Sequence, residues 1–174
     1  MQARRPVLYL IACAAPPARD LTDFIPAVRL SGWEVHVIAT PSACSFFDVD
    51  RVERLTGQPV RSHYEHPDSP DALPPACAIL LAPATFNTLN KLSVGITDTL
   101  ATGLLAEAVG GRMPVVAVPW VGANLSAHPV YGESLQRLSA FGVALIEGED
   151  EGTGSASFPW RAALRAVNEF LPET

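Results

Sequence analysis

Strand-like and helix-like runs alternate along this chain of 174 residues, and that alternation limits the fold more than any other feature. Val7–Ala12 is a continuous apolar run of β type. Trp33–Thr40, Cys77–Ala82, Met113–Val118 and Val143–Glu147 follow it as further strand candidates. Between them the spacing turns helical. Leu21, Phe24, Ile25, Val28 and Leu30 recur before Gly32, with Pro26 marking a first turn or a kink. Val49–Gly57 reads as a short helix closed by glycine, Thr88–Gly111 as one long helical stretch, and Val130–Gly142 as another. Residues 159–171 read as a C-terminal helix with proline at its start.

Strands separated by helices need crossovers, so their sheet is parallel and covered on both faces. The expectation is a single α/β domain over residues 1–174, doubly wound in the Rossmann-like or flavodoxin-like manner. Residues 146–158 form a solvated loop ahead of the last helix. In such a sheet the loops that follow the strands share one edge, where ligands bind. Four of them mix small and polar residues: Ala12–Pro17, Thr40–Ser45, Pro83–Thr88 and Pro119–Leu125.

Composition excludes several functions. A net charge of −6 argues against a nucleic-acid partner. No segment reaches 18 uninterrupted apolar residues, so no membrane span is expected, and Val7–Ala12 reads as a buried strand rather than a signal segment. Cys13, Cys44 and Cys77 form no CxxC pair and read as reduced thiols of a cytoplasmic protein. Hydrophobic residues at 48% against 17% charged suggest that some surface is covered by other subunits.

The common catalytic motifs are missing. There is no G-x-G-x-x-G, no G-x-x-x-x-G-K-[ST] and no G-x-S-x-G. His63 and His66 lie in a stretch, 58–75, that holds five prolines, and they read as exposed loop residues rather than metal ligands. Asn124-Leu125-Ser126 fits a glycosylation sequon only by chance. The alanine-rich face of 99–108 reads as core or subunit contact.

The stretch "PATFNT" (Pro83–Thr88), followed by "NKLSVGITDTLATGLL" (Asn90–Leu105), resembles the PASANT signature and following helix of the homo-oligomeric flavin-containing cysteine decarboxylases. That family includes phosphopantothenoylcysteine decarboxylase and the lantibiotic peptidyl-cysteine decarboxylases. "TPSACSFFDVDRVERLTGQPV" (Thr40–Val60) and "PWVGANLSAHPVYGESLQRL" (Pro119–Leu138) are similar to other segments of the family, so the likeness spans most of 7–146. The resemblance implies an FMN cofactor. Ala84, Thr85, Phe86, Asn87 and Thr88 would hold the isoalloxazine through backbone N–H groups and the Asn87 amide, and Thr40, Ser42 and Phe46 would line the phosphate and ring sides. It also implies a homo-oligomer, a trimer or dodecamer, acting on a small molecule or on a C-terminal cysteine peptide.

Three departures stand against the family pattern. The first loop reads "ACAAPPARD" in place of a glycine-and-serine phosphate turn. Ser69 occupies the register of the family's catalytic histidine, with His66 three residues earlier. Gly122 fills the position of the family's "PxMN" asparagine, with Asn124 two residues on. Losing a positioned acid–base group costs about 10²–10⁴ in rate. His66 is therefore the first candidate acid–base residue, His128 the reserve, and Asn124 the candidate for carboxylate recognition. Oxidative decarboxylation of a cysteine-like thiol carboxylate stands beside changed chemistry on the same flavin site: a redox enzyme, a prenyl-flavin-type transferase or a flavin carrier. A structural subunit without cofactor is the remaining class.

Overall fold

The structure, a computed structural model, describes residues 5–65, 68, 73–148 and 157–172. Five parallel strands form one sheet in the order β2-β1-β3-β4-β5. They are β1 (Val7–Ala12), β2 (Glu34–Ala39), β3 (Ala78–Ala84), β4 (Val115–Pro119) and β5 (Ala144–Leu145). β1 and β3 are buried along their whole length, as their unbroken apolar runs require in a sheet covered on both faces. The fourth strand begins two residues later than its apolar run, and the fifth is shorter than its own.

Side-chain alternation divides the core in two. Leu8, Leu10, Val35, Val37, Leu80 and Val116 face one layer, covered by α1 (Leu21–Leu30), α2 (Val49–Thr56) and α7 (Trp160–Asn168). Tyr9, Ile11, Ile38, Ile79, Leu81 and Ala117 face the other, covered by α3 (Phe86–Val94), α4 (Leu100–Gly110) and α6 (Pro129–Ala140). A four-residue helix, α5 (Ala123–Ser126), precedes α6. Pro26 lies inside α1 rather than in its first turn. α7 stops at Asn168, whose amide links Trp33 Nε1 at 3.0 Å to Ser31 Oγ at 3.2 Å.

The expected long helix over Thr88–Gly111 is two helices. Gly95, at φ +75°, ends α3 in a left-handed conformation, and Thr99 starts α4 with a reciprocal capping box to Thr102. The chain therefore leaves the helical path between them, over residues 95–99. The alanine-rich face of α4 is core: Ala101, Leu105 and Ala108 are buried against the sheet of their own chain and are not free for a second subunit. Among the described residues, no helix is long and apolar enough to cross a membrane.

Candidate functional site

Strand order reverses between β1 and β3, and the loops after β1, β2, β3 and β4 meet there. Backbone bonds register them. Thr40 N–H donates to Ala12 O at 2.9 Å, Cys13 N–H to Pro83 O at 3.1 Å, and Trp120 N–H to Ala84 O at 2.8 Å. They surround a cavity of about 690 Å³, within the usual range for cofactor sites.

The first three loops give this cavity a wall of mostly small residues. Ala14, Ala15 and Pro16 follow β1; Thr40, Pro41 and Ser42 follow β2; Thr85, Phe86, Asn87 and Thr88 follow β3. Each loop opens a helical turn: Pro16–Asp20 and Pro41–Ser45 are single 3-10 turns, and the third is α3. The residues that start them, Ala15, Thr40 and Thr85, make no side-chain capping bond, and neither does Gly122 ahead of α5. α2 and α6 are capped instead by Asp48 and His128. After β3 the first-turn N–H groups of Phe86, Asn87 and Thr88, and after β2 that of Ser42, are uncapped donors for a ligand's oxygens and favour an anion. After β1, by contrast, Pro16 and Pro17 carry no N–H and Ala18 N–H donates to Ala15 O. The turn itself is braced from beneath: the buried Cys13 thiol donates to Thr88 Oγ1 at 3.2 Å, and Thr85 Oγ1 donates to the same oxygen at 3.3 Å. Burial pushes the Cys13 thiol pKa up, so it stays protonated.

The remaining walls are of other kinds. Lys91, Asp98, Thr99 and Thr102 close the α3–α4 side, where Lys91 Nζ meets Asp98 Oδ2 at 2.5 Å. The hydrogen bond from Lys91 holds the Asp98 carboxyl below its ordinary value. Trp120, Val121, Gly122 and Leu125 form the β4–α5 side. Trp120 is backed by a chain of rings, with centroid spacings of 5.8 Å to Phe158, 4.4 Å on to Trp160 and 4.4 Å on to Phe24.

The residues singled out by sequence divide accordingly. Thr40, Ser42, Thr85, Phe86, Asn87 and Thr88 line the cavity. Ala84 is fully buried at the end of β3, its carbonyl bonded to Trp120, and Phe46 is carried past the cavity by the 3-10 turn. Asn124 and His128 are exposed and do not line it. His128 instead accepts from Val130 N–H through Nδ1 at 3.2 Å and lies edge-on to Phe86, 5.8 Å between centroids. His66 and Ser69 lie outside the described residues. Reading one helix across Gly95 hid Lys91, Asp98, Thr99 and Thr102. The signal was the glycine followed by the polar Thr97-Asp98-Thr99. Among the described residues there is no group of three or more metal-ligating side chains.

Residues 18–170 match the flavoprotein family model. The chain belongs to the flavoprotein family. Within it, the chain is 27% identical over 155 residues to the coenzyme A biosynthesis bifunctional protein CoaBC of Thermococcus kodakarensis, covering 82% of this chain but 37% of that relative's length. It is 48% identical over 42 residues, 24% of this chain and 18% of the relative, to the dihydromethanopterin reductase (acceptor) of Methanosarcina mazei. The fold matches that of the FMN-dependent cysteine decarboxylase SpaF with a TM-score of 0.77 at 20% identity, over 97% of this chain and 98% of that one. The doubly wound architecture expected from sequence is thus the flavoprotein fold.

Proposed function

We propose that this flavoprotein binds FMN in the cavity at the β1/β3 switch point and uses it for two-electron chemistry on a small substrate admitted beside the β4–α5 loop. One observation carries the proposal: the uncapped helical starts after Thr40 and Thr85 open onto one cavity of about 690 Å³. Those N–H groups suit a phosphate and a ring with several carbonyls, and the Asn87 amide can donate and accept at once. FMN, when bound, supplies a reversible acceptor of two electrons and a proton. The chain's own residues do the rest. The turn after Thr40 would hold the anionic end, Asn87 and the first turn of α3 would fix the ring, and Trp120 would help to shield the site from water.

Two substrate chemistries separate on the β4–α5 wall. In the first, a cysteine-like thiol loses two electrons and two protons to become a thioaldehyde. The bond to its carboxylate then breaks, CO₂ leaves, and the electron pair remains on carbon as an enethiolate. That route, implied by the cysteine decarboxylase named among the structural neighbours, needs a group to orient the carboxylate. Gly122 carries no side chain, and Asn124 is exposed outside the lining. In the second, the substrate exchanges hydride without carbon–carbon cleavage and needs only a surface to lie flat on. The match to a reductase, over 24% of this chain, supports it. The geometry favours this second chemistry.

The decisive experiment is the absorption spectrum of the purified protein with and without added FMN. It is followed by CO₂ release from phosphopantothenoylcysteine and from C-terminal cysteine peptides. A yellow protein that releases little or no CO₂ is expected. A protein that takes up no flavin refutes the proposal, and brisk CO₂ release refutes the preference for hydride exchange.

The same proposal includes a cytoplasmic, homo-oligomeric protein built on trimers. What supports assembly is the exposure of several large apolar side chains, Val94, Ile96, Leu125 and Val130 among them. Light scattering that shows a flavin-loaded monomer at micromolar concentration would overturn it.

A further inference from the structure

The charge inventory of the cavity says more about its occupant than its volume does. Lys91 is the sole lysine in the sequence, and among the described residues it is the one cation lining the cavity. It is committed to Asp98 at 2.5 Å, so the pair adds no net charge. The β4–α5 wall offers an indole, two aliphatic side chains and a glycine.

We infer that the ligand taken beside Gly122 is an uncharged, planar compound of the quinone or heteroaromatic class, and not a carboxylate. The inference rests on the flavin site proposed above and names its substrate class. A carboxylate moved from water onto this wall would lose hydration and find no free cation in exchange, Lys91 being paired with Asp98, only the N–H groups that open the four-residue α5. A flat neutral ring loses little hydration and gains contact with Trp120, Val121 and Leu125. Space for it exists where the family resemblance places an asparagine: a Cβ built on Gly122 meets no atom within 4 Å. That opening lies beside Trp120, so a ring placed there lies against an aromatic wall.

The test uses the FMN-loaded protein, its flavin content read from the visible spectrum. Naphthalene-2-carboxamide and naphthalene-2-carboxylate share one ring system and differ in charge. Each is titrated at neutral pH while the flavin absorption bands are followed. The carboxamide is expected to bind more tightly by about 10-fold or more, the cost of leaving a charged group without its partner. Gly122→Arg places a cation in the open space and should reverse that order at unchanged flavin content. Gly122→Leu fills the space without charge and should weaken both probes. A carboxylate that binds as well as the carboxamide to the unmodified protein overturns the inference, and so does the absence of any spectral response to either probe at millimolar concentration. A protein that takes up no FMN overturns the proposed function itself, and this inference with it.

Discussion

The two long walls of the cavity are made of different material. The wall after β1, β2 and β3 is backbone: small residues and three uncapped turns, with Asn87 the one amide side chain among them. The wall after β4 is side chain, apolar and uncharged, with a glycine at its centre. A backbone wall tolerates sequence change so long as the turn persists, which is how "ACAAPPARD" still opens a helical turn at the cavity without glycine or serine. A side-chain wall does not tolerate it, because replacing one amide by a hydrogen alters which ligands are stabilised. The difference teaches that a cofactor site and a substrate site on one scaffold can diverge separately.

The largest expected effect sets the two asparagines against each other. Asn87→Ala should weaken FMN binding by roughly 1–3 kcal/mol, about 5- to 150-fold, through one or two lost hydrogen bonds. Asn124→Ala should leave FMN affinity unchanged by fluorescence titration. Equal losses would mean that the β4–α5 wall also holds the cofactor. His128→Ala comes next. Removing the α6 cap should cost about 0.5–2 kcal/mol in urea denaturation while flavin content stays constant. A catalytic role for His128 would instead appear as lost turnover in a protein of normal stability.

A smaller effect tests the ion pair. Asp98→Asn frees Lys91, so the carboxylate probe should gain roughly 1.5- to 5-fold in affinity, and that gain should vanish at high salt. The smallest concerns pH. The raised Cys13 pKa means that, above the ordinary thiol value, the unfolded chain releases a proton that the folded one keeps. Stability should therefore fall as pH rises through that window, and Cys13→Ala should flatten the fall in thermal melts. An unchanged slope would show that the thiol ionises as easily folded as unfolded.

The alternation of runs made the sheet, its parallel sense and its ligand edge legible before any coordinates, because burial on both faces leaves unbroken apolar strands such as Val7–Ala12 and Ala78–Ala84. The β3 side of the cavity was legible through "PATFNT". The α3–α4 side was not, since Gly95 sits within a sequence whose apolar spacing runs smoothly across it, and only its left-handed φ turns the chain. A histidine before Pro129 suits a helix start better than an acid–base group, and the bond from Val130 N–H shows His128 as the cap of α6.

The break at Gly95 also bears on how the molecule opens. α3 packs chiefly on α6 and α4, joined to α6 by Ser93 Oγ donating to Ser134 Oγ at 2.9 Å. The turn at Asn87 therefore belongs to a helical subassembly laid over the sheet, whose own ladder is continuous without it. Such a unit unfolds locally at lower free energy than the whole domain. Amide hydrogens of α3 and α6 should exchange before those of β1 and β3 in the flavin-free protein. Saturation with FMN at 100 times its Kd would raise the opening cost by about 2.7 kcal/mol, slowing that exchange roughly a hundredfold. Hydrogen exchange in these two helices is thus a gauge of cofactor occupancy that needs no colour.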